Sequence, residues 1–239
     1  CTGGAVCVLL TINGVPLPIA FAMAFISGLL AGLVTGVFNT RFGIPPILAG
    51  ILTQLALYSI NLHIMGWDAS PKGDHAKHWG SKANLPVSVD KYKLLVSQRH
   101  VNVLGLKNPI WALLIILFVI IFLLYWFFGT EIGASLRATG ANGNMARAQG
   151  IDTDKTKILG LMISNGFVAF SGALLAQYQG FSDINMGRGA IVIGLAAVII
   201  GEAIFGKIFR SFALSLVAVG LGSIIYYFVL QIVIWLGID

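Results

Sequence analysis

Residues 109–128 read PIWALLIILFVIIFLLYWFF, twenty residues without a charge. A stretch of that length and apolarity matches the ~30 Å hydrocarbon core of a bilayer when it is helical. Lipid offers no partners to backbone N–H and C=O groups, so only a helix or a closed barrel can cross it. The ~10-residue alternating segments of a barrel are absent, which leaves the helix. Composition agrees: 57% of the chain is hydrophobic, 10% charged, and mean hydropathy is +0.90. Soluble domains carry roughly 25% charged residues, so this chain cannot cover a water-facing surface. The fold class is an all-α integral membrane protein, a polytopic helix bundle with short or broken helices.

The same reasoning predicts spans at about 15–38, 47–65, 109–128, 157–179 and 212–236. A sixth stretch, 189–205, is short and interrupted by Gly194 and Gly201. The opening CTGGAVCVLLTI is too short to cross a bilayer and lacks the basic start of a signal peptide. It reads as the back half of a helix. Parity puts loops 39–46, 129–156 and 206–211 on one face, and 66–108 and 180–188 on the other. Counting Lys157 at the edge of the next span with the first set, the lysines and arginines number seven and eight, so the positive-inside rule does not choose between the faces. The net charge of +6 suits loops beside anionic headgroups, that is, membrane lipid rather than nucleic acid.

Several motifs have bland readings that compete with functional ones. Ala20, Ala24, Gly28, Gly32 and Gly36 recur every four residues, a small-residue stripe that lets another helix approach closely. Cys1 and Cys7 read as packing residues. GEAIFGKI at 201–208 begins like a phosphate-cradling loop, but Ile208 stands where Ser or Thr must hold magnesium. The chain therefore does not hydrolyse ATP itself. Glu202 lies near a span end with Lys207 and Arg210 close by, which favours local pairing over a proton relay. His75, His78 and His100 read as solvated loop residues, no metal site is expected, and the span residue His63 reads as core packing. LPVSVDKYKLLV in the long loop alternates weakly and suggests a short extended segment.

Candidate path residues are neutral and polar: Gln54, Tyr58, Asn61, Asn165, Gly172, Gln177 and Gln179. Asn165, Ala169, Gly172, Ala176 and Gln179 fall near one face of their helix. Such a face suits passage of a zwitterion, and interhelical hydrogen bonds would use the same side chains. Both readings stay open. The stretch 180–194, GFSDINMGRGAIVIG, breaks the apolar pattern, either as a broken helix beside a substrate path or as a plain external turn.

Between two apolar spans lies GASLRATGANGNMARAQGIDTDKTK, residues 133–157, small and polar. Asn142-Gly143 is a turn signal, and Asn144 is expected to cap a short helix at 144–149. Gly150 supplies a left-handed stop with Ile151 beside it, and Asp152 or Thr153 caps the next helix. Two short helices outside the bilayer follow. A helix so short is marginal alone in water and makes sense if a partner grips it. A connector lying on lipid would show bulky anchors such as Trp or Phe, and none occurs here.

That string, RATGANGNMARAQGI, resembles the coupling segment of permease subunits in bacterial ABC importers of the ribose and branched-chain amino-acid type. Arg137, Ala138, Gly140, Asn142, Ala146, Gly150 and Ile151 fill the pattern R-A-x-G-x-N-x-x-x-A-x-x-x-G-I. TRFGIPPILAGI, SGALLAQYQGFSDINMGRG and GRGAIVIGLAAVIIGE are similar to permeases of tryptophan/tyrosine-type uptake systems. The likeness covers essentially the whole of 1–239. It implies one transmembrane permease domain in the bacterial plasma membrane, translocating an amino acid or similar small solute inward. It also implies a second permease subunit forming a homodimer, two ATP-binding subunits that carry ATP and magnesium, and an extracytoplasmic substrate-binding lipoprotein. No cofactor is expected in this chain. On this likeness 129–156 is cytoplasmic and 66–108 faces outward, and the family has further helices at both ends. The rivals are an ion-coupled secondary transporter of a neutral solute, which would show paired charges within spans, and a membrane enzyme, which would show a catalytic constellation.

Overall fold

The computed structural model describes residues 1–66, 83–87, 109–187, 189–206 and 212–237. Nine helices and two short strands occur among the described residues. In order they are α1 (Thr2–Ile12), α2 (Leu17–Thr40), α3 (Pro46–Gly66), β1 (Asn84–Pro86), α4 (Pro109–Gly129), α5 (Glu131–Ala141), α6 (Gly143–Ala148), α7 (Thr153–Gln179), β2 (Phe181–Asp183), α8 (Ala190–Phe205) and α9 (Phe212–Trp235). Five of these, α2, α3, α4, α7 and α9, contain stretches long and apolar enough to cross a membrane. The architecture is the all-α polytopic bundle that the apolar runs predict. The span expected from 157 begins four residues earlier, because Asp152 caps it at the polar edge.

The chain forms two compact units, Cys1–Leu114 with Glu131–Met186, and Ile115–Thr130 with Gly187–Asp239. In the first unit α2 and α7 pack antiparallel along the small-residue stripe. Ala20, Ala24, Gly28, Gly32 and Gly36 are all buried. A Cβ built on Gly28 would collide with the carbonyl oxygen of Asn165, and one on Gly32 with that of Leu161. Only hydrogen fits between those backbones. Phe21 against Phe170 and Phe25 against Phe167, ring centroids 5.4 Å apart in both pairs, flank the seam. The seam orients the unit. Gly36 lies over Ile158 near one end of α7 and Gly28 over Asn165 and Gly166 nearer its middle.

The short α1 runs alongside the far half of α7. Gly3 abuts Ala169 and Gly4 abuts Gly172. Cys7 joins Ala20, Phe21, Ala24 and Ala173 in a buried cluster. Small side chains again set the distance. Cys1 and Cys7 are free thiols.

The second unit contains α8 and α9, crossing at glycines. A Cβ on Gly201 would strike the Ala218 backbone, and one on Gly222 the Ala197 backbone. Gly201 therefore does not interrupt α8, nor does Gly194. Glycine is tolerated inside a membrane helix where a neighbouring backbone comes close, and at Gly201 it does. Glu202 is exposed on α8; its expected partners Lys207 and Arg210 lie outside the described residues, as do His75, His78 and His100. His63 is exposed, not packed in the core, and its Nδ1 is 3.0 Å from the Ser59 carbonyl oxygen of its own helix.

Candidate functional site

At the N-terminal end of α7 the chain builds a compact polar knob from α5 and α6. Asn142, not Asn144, is the cap of α6. Its backbone is extended (φ −155°), and its Oδ1 accepts from the Asn144 and Met145 N–H groups, each at 3.1 Å. A side-chain oxygen must sit one residue before the first turn to reach those amides, which Asn144, already inside the helix, cannot do. At the other end Gly150 has φ +83°. The Ile151 N–H donates to the Ala146 carbonyl at 3.1 Å and the Gly150 N–H to Arg147 at 3.0 Å. This paired closure needs the left-handed residue that glycine supplies without penalty.

Two further residues bind the knob to α7. Arg147 Nη2 donates to Thr153 Oγ1 at 2.8 Å and lies 3.4 Å from Asp154 Oδ1. Asp152 Oδ1 accepts from the Asp154 and Lys155 N–H groups at 3.2 Å, and its Oδ2 is 3.0 Å from Lys155 Nζ. The Lys155 side-chain contact and the backbone donors together hold the Asp152 carboxyl below its usual range. Leu136 of α5 lies over Gly160 of α7. The sequence pattern carries Arg147 only as an unassigned x. Its signal was a basic residue in the last turn of one helix, followed within seven residues by Thr and Asp opening the next.

The motif positions divide by role. Ala146 is 2% exposed and faces inward, Asn142 caps, Gly150 stops the helix and Ile151 is half-buried. Arg137, Ala138, Gly140 and Asn144 are exposed. Met145, which the pattern leaves unspecified, is 62% exposed and is the one large apolar side chain on α6.

The candidate path residues are not brought together. Gln54, Tyr58 and Gln179 are exposed. Asn165 Nδ2 donates to the Leu161 carbonyl of its own helix at 2.9 Å. On the face through Asn165, the backbone of Asn165 and Ala169 meets Gly28 or Gly3, and Gly172 and Ala176 meet Gly4. In this conformation that side is occupied by α1 and α2. Gln177 is fully buried; its Nε2 lies 3.2 Å from Thr11 Oγ1 and 3.4 Å from Cys7 Sγ, while Oε1 has no partner. Asn61, 3% exposed, likewise has an unpartnered Oδ1.

At the opposite end of α7, Gly180 (φ +76°) turns the chain back on itself. β2 then pairs antiparallel with β1, Asn84 facing Asp183, Leu85 facing Ser182 and Pro86 facing Phe181. The start of the 180–194 break, residues 180–184, thus folds back on the chain, with Cys1 Sγ donating to the Ile184 carbonyl at 3.0 Å, and residues 190–194 open α8. Of the extended segment expected over 85–96, Leu85 and Pro86 are strand; residues 88–96 lie outside the described residues.

A family described as the permease component of the branched-chain amino acid transport system matches residues 1–238. The chain belongs to that family. A tyrosine transport system permease protein of Clostridioides difficile (strain R20291) is 40% identical over 225 residues, covering 94% of this chain and 68% of that protein. An uncharacterised protein of Rickettsia prowazekii (strain Madrid E) is 32% identical over 222 residues, 92% of this chain and 71% of its own length. The galactose/methyl galactoside import permease of Haemophilus influenzae is 24% identical over 194 residues, 80% and 53% of the two chains. No solved structure matches. The permease is a multi-pass inner-membrane protein and a component of an ABC-type transport system.

Proposed function

We propose that this permease moves an amino acid or similar small solute inward, driven by ATP hydrolysed on two separate subunits that hold the nucleotide and magnesium. The name of the Clostridioides relative points to an aromatic amino acid. A second permease copy and an extracytoplasmic substrate-binding lipoprotein complete the assembly. The observation that carries this reading is the stiff joint between the knob and α7: Asn142, Gly150, Arg147 and Asp152 leave α6 little freedom to swing independently. A partner that displaces α6 must then displace α7, which holds α2 through contacts that admit no side chain. Closure of the ATP-binding subunits pulls α6, and the bundle alternates between inward- and outward-open forms. Docking free energy has to differ between those forms for coupling to occur.

Gly150→Val tests the reading. A β-branched residue is strongly disfavoured at φ +83°, so the helix stop is lost while membrane insertion continues. Uptake in proteoliposomes is expected to vanish, and uptake that persists overturns the coupling role. Wild-type uptake that follows an imposed sodium gradient and ignores ATP would support the secondary-transporter rival instead.

A further inference from the structure

The β1–β2 pairing does more than tidy a turn. It extends beyond the three-residue strands, with the Ile184 N–H donating to the Ala83 carbonyl and the Val87 N–H to the Gly180 carbonyl, each at 2.9 Å. From its inner face the pairing inserts two apolar side chains among the helices. Val87, 4% exposed, packs with Val8 and Ala176. Ile184, 5% exposed, packs with Ala5 and Met65. Leu85 touches both groups. The paired segment therefore fills the space where α1, α3 and α7 come together at the end of the unit opposite the knob.

Its attachment is weak in two ways. A two-stranded ladder is marginal in isolation. Beneath the ladder, Ser182 is fully buried with an unpartnered Oγ, and Gln177, five residues earlier, is fully buried with an unpartnered Oε1. Buried polar atoms without partners carry their full desolvation penalty, and opening to water would relieve it. The closed arrangement is thus held by two apolar plugs and opposed by two orphaned oxygens.

We propose that this clasp is the outer gate of the permease, resting on the importer reading above: it closes the outer ends of α1, α3 and α7 and must part for solute to enter. Asn84 and Asp183 stand directly opposite on its outer side. The hydrogen bonds at the neighbouring pairs make theirs a non-hydrogen-bonded pair, where opposed Cα atoms approach to ~4.5 Å. That is within the range a disulfide accepts. In the full complex in proteoliposomes, Asn84→Cys/Asp183→Cys under oxidant is expected to lose ATP-driven uptake by about tenfold or more, as a locked gate should, and to recover on reduction. Each single replacement keeps its uptake under oxidant. Uptake that continues through a clasp shown by mass spectrometry to be crosslinked overturns the proposal. A second readout needs no transport. Oxidation should slow hydrogen exchange at the Val87 and Ile184 amides about tenfold, because exchange there requires opening, and unchanged exchange overturns the proposal too. Failure of ATP to drive uptake in the reduced and wild-type proteins would count against the importer reading, while the exchange measurement still decides whether the clasp opens.

Discussion

The two ends of α7 are built on opposite terms. At the knob, the backbone donors of the first turns of α6 and α7 meet Asn142 and Asp152, and Arg147 ties one helix to the next. At the clasp, Gln177 and Ser182 are buried deeper than any polar group of the knob, yet each leaves an oxygen unpartnered. Exposed groups could have found water and did not need the protein, so the side-chain capping at the knob specifies geometry more than stability. Buried groups had no such escape, so incomplete pairing at the clasp raises the energy of the closed form. On the readings proposed above, one end transmits a displacement and the other gives way.

The comparison breaks first in the middle, where α2 holds α7. Gly32→Leu would drive a side chain into the Leu161 backbone. Overpacking of this kind costs roughly 1–3 kcal/mol where neighbours can shift, and more where the obstacle is backbone. Loss of the thermal transition in detergent is expected, with both ends lost together. At the clasp alone, Ser182→Ala removes an orphaned oxygen and should stabilise the closed form by about 1–3 kcal/mol. A higher Tm with slower uptake is the signature; a lower Tm would mean that Ser182 has a partner in the resting protein. At the knob, Asn142→Ala should cost about 1 kcal/mol and lower uptake while ATP hydrolysis continues, read as a fallen ratio of solute moved to ATP consumed. Arg147→Ala removes an exposed ion pair worth below about 1 kcal/mol, so Tm should hold while the same ratio falls. The smallest effect is that of pH. The Asp152 carboxyl is held below its ordinary range, so its cap is intact above that range and is lost as pH falls through the lowered value. Exchange at the Asp154 and Lys155 amides, corrected for intrinsic rate, should rise on acidification, and Asp152→Asn should flatten that rise.

Much of this was legible because lipid leaves a chain few choices. The five spanning helices follow from run length alone, and the α2 stripe from a four-residue repeat whose partner, α7, the repeat could not name. The knob was legible because caps and stops are local: Asn142, Gly150 and Asp152 act within five residues of their targets. Even so, Asn144 was expected where Asn142 caps, since two candidate caps two residues apart differ only in which begins the helix. The clasp was out of reach. It joins residues about a hundred positions apart through backbone hydrogen bonds, which leave no side-chain signature, and one of its strands includes a proline. The surroundings of the candidate path residues were out of reach for another reason. Helical spacing identifies a shared face but not what covers it, and α1 and α2 cover this one.

The four-residue repeat along α2 also makes that helix intolerant of any change in length. One alanine inserted after Leu30 would leave composition and hydropathy almost untouched, yet turn Gly32 and Gly36 about 100° away from the direction of Gly28. Half the stripe would then point at acyl chains and half at α7. Deletion or insertion in this stretch should be far more harmful than most point substitutions, and a second insertion would not restore the phase until nearly a whole turn had been added.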